Sequence, residues 1–272
     1  MPTQTEKAAT FRALHDAPRA FVIANAWDGG TARILTGLGF KAIATSSGAA
    51  AGTLGRTDGH ITRDEALAHC RRIVEATELP VSADLENGFG DAPEFAAETI
   101  RLAAGIGLVG ASIEDATGDT ANPLYDPDTA TARITTSVAV ARAQAFPFTL
   151  TARAEGFLRG RADLQDVIRR LQAFEAAGAD VLMAPGLPDL EAVRAVCAAL
   201  KKPVNFMAGI KGKSFTVAAL AQAGVKRISL ATSLYRAAMT GLVDAAKEVQ
   251  EQGTFGYLDT TLPTPAVNAF MR

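Results

Sequence analysis

Asp84 and Glu86 stand two residues apart at the end of an apolar run, and Glu114 sits near the end of the next such run. If these runs are neighbouring strands, Asp84 and Glu86 point to one face and Glu114 lies at a similar height beside them. Three carboxylates would then share one mouth. Like charges raise one another's pKa unless a cation neutralises them, and oxygen ligands without His or Cys suit Mg²⁺ or Mn²⁺ rather than Zn²⁺. Mg²⁺ retains waters, so some of these groups would reach it only through water. The competing assignment is structural: Glu86 or Asp115 caps the loop that follows, or pairs with an arginine. Arg153, in Thr151-Ala152-Arg153-Ala154-Glu155, offers a planar guanidinium to a substrate carboxylate, with an ion pair to Glu155 or Glu114 as the alternative. The stretch Thr45-Ser46-Ser47-Gly48-Ala49-Ala50-Ala51-Gly52 is small enough for backbone N–H groups to approach an anion or a developing oxyanion. Small residues also serve tight packing.

The three histidines, His15, His60 and His69, have no metal-ligand spacing. His15 and His69 fall in helical stretches, where surface positions are expected, whereas His60, two residues after Asp58, could face the mouth. Cys70 and Cys197 lie on apolar helical patterns far from any C-x-x-C spacing and read as reduced core thiols. There is no Gly-x-x-x-x-Gly-Lys loop, serine nucleophile elbow or His-rich zinc motif.

The elements that must position these residues recur along the chain. Eight apolar, β-branched runs cover 21–27, 41–47, 79–86, 108–115, 146–155, 180–185, 203–208 and 227–233. Near-continuous hydrophobic strands are expected where both faces of a parallel sheet are covered. Helical patterns lie between them, among them 63–77, 93–104, 164–177, 190–200 and 215–223. Gly39, Gly178 and Gly224 stand where a helix must turn into the next strand, a position that favours a left-handed backbone. Eight such units predict an α/β fold of the (β/α)₈ TIM-barrel type. An open doubly wound sheet would want G-x-G-x-x-G after its first strand, and the residues there are Asn25-Ala26-Trp27-Asp28-Gly29-Gly30.

In a barrel the strand C-termini build the active site. Those ends carry Asn25, Trp27, Asp28, Ser46, Ser47, Asp84, Glu86, Glu114, Asp115, Arg153, Glu155, Asn205 and Ser233, and Asp58 follows in the loop after the second strand. Trp27, Gly48 and Asn205 join Ser46, Ser47 and Arg153 as candidates for holding substrate.

The 272 residues suit one barrel domain over 1–253, followed by a turn-rich tail, 254–272, expected to dock onto a neighbouring subunit. With a net charge of −2 and scattered Lys and Arg, no electrostatic footprint for nucleic acid is present. The first twenty residues include Glu6, Lys7, Arg12, Asp16 and Arg19 without a continuous apolar run, which fits neither a secretory leader nor a membrane span and predicts a cytoplasmic protein.

Read together, Ala24-Asn25-Ala26-Trp27-Asp28, Thr45-Ser46-Ser47-Gly48 leading to Gly55-Arg56-Thr57-Asp58, Ser82-Ala83-Asp84-Leu85-Glu86-Asn87-Gly88-Phe89-Gly90, Ser112-Ile113-Glu114-Asp115 and Ala152-Arg153-Ala154-Glu155 resemble the isocitrate lyase/phosphoenolpyruvate mutase superfamily over roughly residues 20–240. The resemblance implies a Mg²⁺ site with Asp84 as the most direct ligand and Asp58, Glu86 and Glu114 acting directly or through waters. It also implies that the Ser46 and Ser47 amides hold an oxo-acid end, that Arg153 holds a carboxylate and that the chain forms a homo-oligomer, a tetramer or dimer. Arg153, Glu114, Asp58 and Asn122 are the catalytic candidates. Members that cleave isocitrate or methylisocitrate carry a Lys-Arg-Cys-Gly-His-like segment after the fourth strand; residues 116–126 contain neither Lys nor Cys. Mutases use a Lys and an Asn there. Asn122 has a compatible spacing, but Thr120 replaces the Lys, and Ala184-Pro185 replaces a His after the sixth strand. The chain is more similar to a branch with Glu-Asp-Ala-Thr-Gly and a Pro-Val-Asn-Phe-Met-Ala seventh strand, associated with 2-oxo-acid binding and weak lyase or decarboxylase chemistry. The leading expectation is a carbon–carbon lyase or decarboxylase acting on a small 2-oxo or 2-hydroxy carboxylate through an enolate-like species. The alternatives are P–C chemistry of the phosphonopyruvate hydrolase or mutase type, and a non-catalytic 2-oxo-acid-binding barrel.

Overall fold

The structure, a computed structural model, describes residues 2–272. Its strands are β1 (Phe21–Asn25), β2 (Ile43–Ala44), β3 (Val81–Asp84), β4 (Gly110–Glu114), β5 (Thr149–Arg153), β6 (Val181–Met183), β7 (Val204–Met207) and β8 (Arg227–Ser229). All pair in parallel and in sequence order, and β1 closes on β8 with Phe21 opposite Arg227 and Ile23 opposite Ser229. The (β/α)₈ barrel is therefore formed. Its helices are α1 (Gln4–Asp16), α2 (Gly29–Gly37), α3 (Ser47–Thr53), α4 (Arg63–Ala76), α5 (Pro93–Gly105), α6 (Pro127–Arg142), α7 (Leu164–Ala176), α8 (Leu190–Ala198), α9 (Val217–Gln222), α10 (Ser233–Gln252) and α11 (Thr264–Phe270).

The main core lies between barrel and helix ring, where outward strand residues such as Ile113, Leu150 and Leu182 meet Ile73, Ile100, Ile134 and Phe174 from the helices. Gly178 and Gly224 adopt φ of +102° and +99° after α7 and α9, the left-handed turn expected of them. α1 closes the N-terminal end of the barrel, and Phe11 packs with Ile23 and Val109.

The ladder is shorter than the apolar runs. β2 stops at Ala44 because Ser46 caps α3, its hydroxyl accepting from the Ala49 N–H at 3.4 Å. β5 begins only at Thr149, after Pro147, which has no N–H to donate. The two helical histidines are not on the surface. His15 is 5% exposed, edge-on to Phe11 and Phe21, with Nδ1 2.8 Å from the Phe11 carbonyl oxygen. His69 is half-buried, with Nε2 2.8 Å from the Trp27 carbonyl oxygen. Cys70 is buried and Cys197 half-buried, and both are free thiols. The tail folds back on its own chain: Arg33 donates to the Met271 carbonyl at 2.9 Å, and a Cβ on Gly37 would fall 2.6 Å from the Phe270 ring. α10 has no buried residue. No helix among the described residues is long and apolar enough to cross a membrane.

Candidate active site

The strand C-termini and the loops after them surround a broad cavity lined by Ser46, Ser47, Gly48, Asp58, Asp84, Glu86, Glu114, Arg153, Glu155 and Arg159. Arg153 stands at its centre. Its Nη1 donates to Asp84 at 2.7 Å, Nη2 lies 2.9 Å from both Glu114 and Glu155, and Nε donates to Glu155 at 3.0 Å. Asp84, Glu114 and Arg153 share this cluster because β3, β4 and β5 are adjacent and Glu114 is in register with Arg153. The ion pair to Glu155 or Glu114, one of the two assignments open for Arg153, is present while the side chain also lines the cavity.

Asp84 accepts from the Ser47 N–H at 3.2 Å, which ties the start of α3 to the carboxylate cluster. Gly48 allows the Asp58 loop to approach: a Cβ there would lie 3.1 Å from an Asp58 carboxylate oxygen. Glu86 follows β3 in a left-handed conformation, φ +50°, and Phe89 in the same turn has φ +63°. Non-glycine residues held there store strain of about 1–3 kcal/mol each, a feature that clusters at functional sites. The turn is held from outside. Arg133 lies over the Tyr125 ring at 4.3 Å and donates to the Asn87 and Asp91 carbonyls, while Tyr125 donates to Asp91 at 2.7 Å.

Other candidates are placed elsewhere. Asp115 lines no part of the mouth; it pairs with Arg170 at 3.1 Å and accepts from the Glu155 N–H, the structural role weighed for it. Trp27 packs edge-on to Tyr235, ring centroids 5.5 Å apart, outside the cavity lining. Asn122 is exposed and bonded to Asp119, in a loop closed by the Ala116–Leu124 bridge. Asn205 lies below the mouth, inside the barrel, bonded to Arg227 and Ser229. His60 does line the mouth.

Arg159 was not singled out by its sequence position. It reaches back from the loop after β5 to Glu114 at 3.1 Å, with Glu155 at 3.9 Å. Its one signal in the sequence is its place four residues after a strand-end glutamate.

The cavity wall carries seven carboxylates, Asp58, Asp64, Asp84, Glu86, Asp91, Glu114 and Glu155, against four guanidiniums, Arg63, Arg153, Arg159 and Arg236, which leaves an excess of acidic groups. Burial, together with the charges of Asp84, Asp58 and Glu114, pushes the Glu86 carboxyl up to about 8. Burial likewise raises Glu114 against the opposing pull of Arg153. Oε1 of Glu86 is buried without a hydrogen-bond partner, and a buried unpaired carboxylate oxygen is costly. A divalent cation would satisfy that oxygen and offset the excess charge, and an all-oxygen donor set suits Mg²⁺ or Mn²⁺. The residues therefore fit such an ion. With Arg153 drawn in among Asp84 and Glu114, no three acidic, imidazole or thiol groups among the described residues converge on one point.

The sequence pattern of the family described as phosphoenolpyruvate phosphomutase matches residues 11–250. The chain belongs to this phosphomutase family. The motif resemblance to the isocitrate lyase/phosphoenolpyruvate mutase superfamily is thereby met. This family member is 50% identical to a Burkholderia cenocepacia protein labelled in general terms a lyase/mutase, and the two structures agree with a TM-score of 0.96 over 98% of this chain and 96% of the other. It is 30% identical over 243 residues to an uncharacterised protein of Mycobacterium tuberculosis, covering 89% of each chain. It is also 30% identical over 252 residues to an oxaloacetate decarboxylase of Pseudomonas aeruginosa, covering 89% of this phosphomutase-family chain and 85% of the relative.

Proposed function

We propose that the chain is a cytoplasmic, homo-oligomeric, Mg²⁺-dependent carbon–carbon lyase or decarboxylase for a small 2-oxo or 2-hydroxy di- or tricarboxylate. The observation that carries this reading is the unpartnered, buried Glu86 oxygen in a carboxylate-rich mouth with Arg153 at its centre. Asp84 would hold the ion most directly, with Glu86, Glu114 and Asp58 acting directly or through water. When bound, the ion would polarise the oxo oxygen and offset the charge of an enolate-like species.

The protein's own groups supply the rest. Arg153 turns its planar fork from Glu114 or Asp84 toward a substrate carboxylate, for which a bidentate pair is the preferred geometry. The Ser47 N–H, at the start of α3 beside the cluster, and the Ser46 amide before it offset charge on the oxo oxygen. The acid for the carbon left by cleavage is not a cysteine of the 116–126 loop, which has none. The Asn122 side chain is bonded to Asp119 and does not line the mouth, which gives the P–C reading that relied on it no support.

The similarity to an oxaloacetate decarboxylase makes oxaloacetate the first substrate to offer. Purified protein with Mg²⁺ is given oxaloacetate, 2-methylisocitrate, 2,3-dimethylmalate or phosphonopyruvate in turn, and products are followed by mass spectrometry. Turnover of a carbon–carbon substrate should vanish with EDTA and return with Mg²⁺ or Mn²⁺. Full activity after exhaustive chelation rejects the metal role. Turnover of phosphonopyruvate alone supports P–C chemistry, and binding of 2-oxo acids without any turnover supports a non-catalytic barrel.

A further inference from the structure

Below the mouth the barrel interior mixes apolar walls with a few hydroxyls, and at its floor lies a cation without a counter-ion. Arg227 opens β8 and is 5% exposed. Its Nε donates to Asn205 Oδ1 at 2.8 Å and Nη2 to Thr151 Oγ1 at 2.9 Å, while Nη1 sits 3.4 Å from His15 Nε2. All three partners are neutral. His15 turns Nδ1 to the Phe11 carbonyl, so that nitrogen carries the hydrogen and Nε2 accepts. Burial alone pushes the Arg227 guanidinium down to about 9, with no acidic group acting on it, and it remains charged at neutral pH.

The cavity above Arg227 is rich in donors. Ser82, Ser112 and Ser229 line it with Arg227 and Asn205, and it offers about 70 Å³ to the centre of a water-sized sphere. One buried water needs roughly 10–15 Å³ on that measure, so there is room for an ion with attendant waters. Among the described residues the Ser82 and Ser112 hydroxyls have no protein partner, and Ser229 accepts one bond and keeps an O–H to give. The one carboxylate on the cavity wall, Asp84, is already committed to Arg153 at 2.7 Å and to the Ser47 N–H. A buried guanidinium whose three acceptors are all neutral lacks a countercharge.

We infer that the barrel interior binds a small monovalent anion of halide size, held by Arg227 and by the Ser82, Ser112 and Ser229 hydroxyls. The cavity adjoins the carboxylate mouth, with Asp84 and Arg153 lining both, and the inference does not depend on any activity there.

Two measurements on the whole protein test it. Crystals grown in sodium bromide and recorded at the bromine edge should show an anomalous peak inside the barrel in contact with the Arg227 guanidinium. Thermal melts at fixed ionic strength should show a saturable rise of a few degrees when chloride or bromide at millimolar concentration replaces gluconate, which is too large for the cavity. Arg227→Met should abolish the rise. Should that variant not fold, Ser112→Ala, which removes one donor and keeps the charge, should raise the midpoint of the chloride titration about tenfold. A cavity without anomalous signal overturns the inference. So does a peak seen only at molar bromide with no saturable shift, which would mark an adventitious ion only, or a Ser112→Ala midpoint equal to that of the wild type.

Discussion

Arg153 meets Asp84, Glu114 and Glu155 at once, at 2.7 to 2.9 Å, and it also lines the mouth. The planar guanidinium can address several carboxylates together because its donors point in fixed, diverging directions. An ammonium keeps the charge and loses that reach. Arg153→Lys is therefore expected to lower the melting temperature of the metal-free protein and, in the fraction that stays folded, to cut kcat/KM about 10²-fold, roughly 2.7 kcal/mol. A lowered melting temperature with normal kinetics would leave Arg153 as a structural partner of the glutamates. Asp84, Glu114 and Arg153 were legible as strand ends that the register of β3, β4 and β5 brings together, whereas Glu86 reaches the mouth from a left-handed turn after β3 and not by the period-two alternation expected of it. Arg159 was not legible. It lies in an irregular loop, and its place in the mouth depends on how the chain turns back after Glu155.

At the scale of the element, α1 shows what sequence patterning leaves out. A lone histidine on an N-terminal amphipathic helix has no visible partner; the group beneath His15 is Arg227, 212 positions away. Burial first, and then the positive charge of Arg227, lowers the His15 pKa from 6.5 to about 3. The unfolded chain therefore takes up a proton between these values that the folded chain refuses, so stability is complete above about 6.5 and is lost as pH falls toward 3. At its fullest this loss is on the order of 5 kcal/mol. His15→Gln, which keeps a neutral acceptor, should flatten the fall in melting temperature between pH 6.5 and pH 4, while an unchanged slope would mean that His15 is solvated in the native state. The strands were more legible than α1 because continuous apolar runs follow from cover on both sheet faces. Their ends were not, because residues such as Ser46 and Glu86 leave the ladder to serve the mouth.

For the whole molecule, the features that stand out are α10 and the segment after it. α10 buries no residue and exposes Leu242, Val243 and Val249, and Phe255, Leu258 and Leu262 are exposed beyond it. Six large apolar side chains left in the open are where a partner subunit would be expected to sit. The expected assembly is a homotetramer, or a dimer, at micromolar concentration by light scattering. Leu242→Lys should reduce the measured mass without altering the barrel's secondary structure, and a monomeric wild type would contradict the expectation. The order of the barrel's strands carries a kinetic consequence of its own. At the seam, the Leu230 N–H reaches Asn25 across 205 positions, whereas the Asp84 N–H reaches Thr45 across 39. Loop-closure entropy makes the longer contact costlier by about 1.5 kcal/mol before any packing rewards it. Until β8 has been synthesised, β1 keeps an unpaired edge, the kind of strand that invites association between nascent chains. In refolding followed by pulsed hydrogen exchange, the amides of β1 and β8 should gain protection after those of β4 and β5, and simultaneous protection would place the seam in the folding nucleus instead.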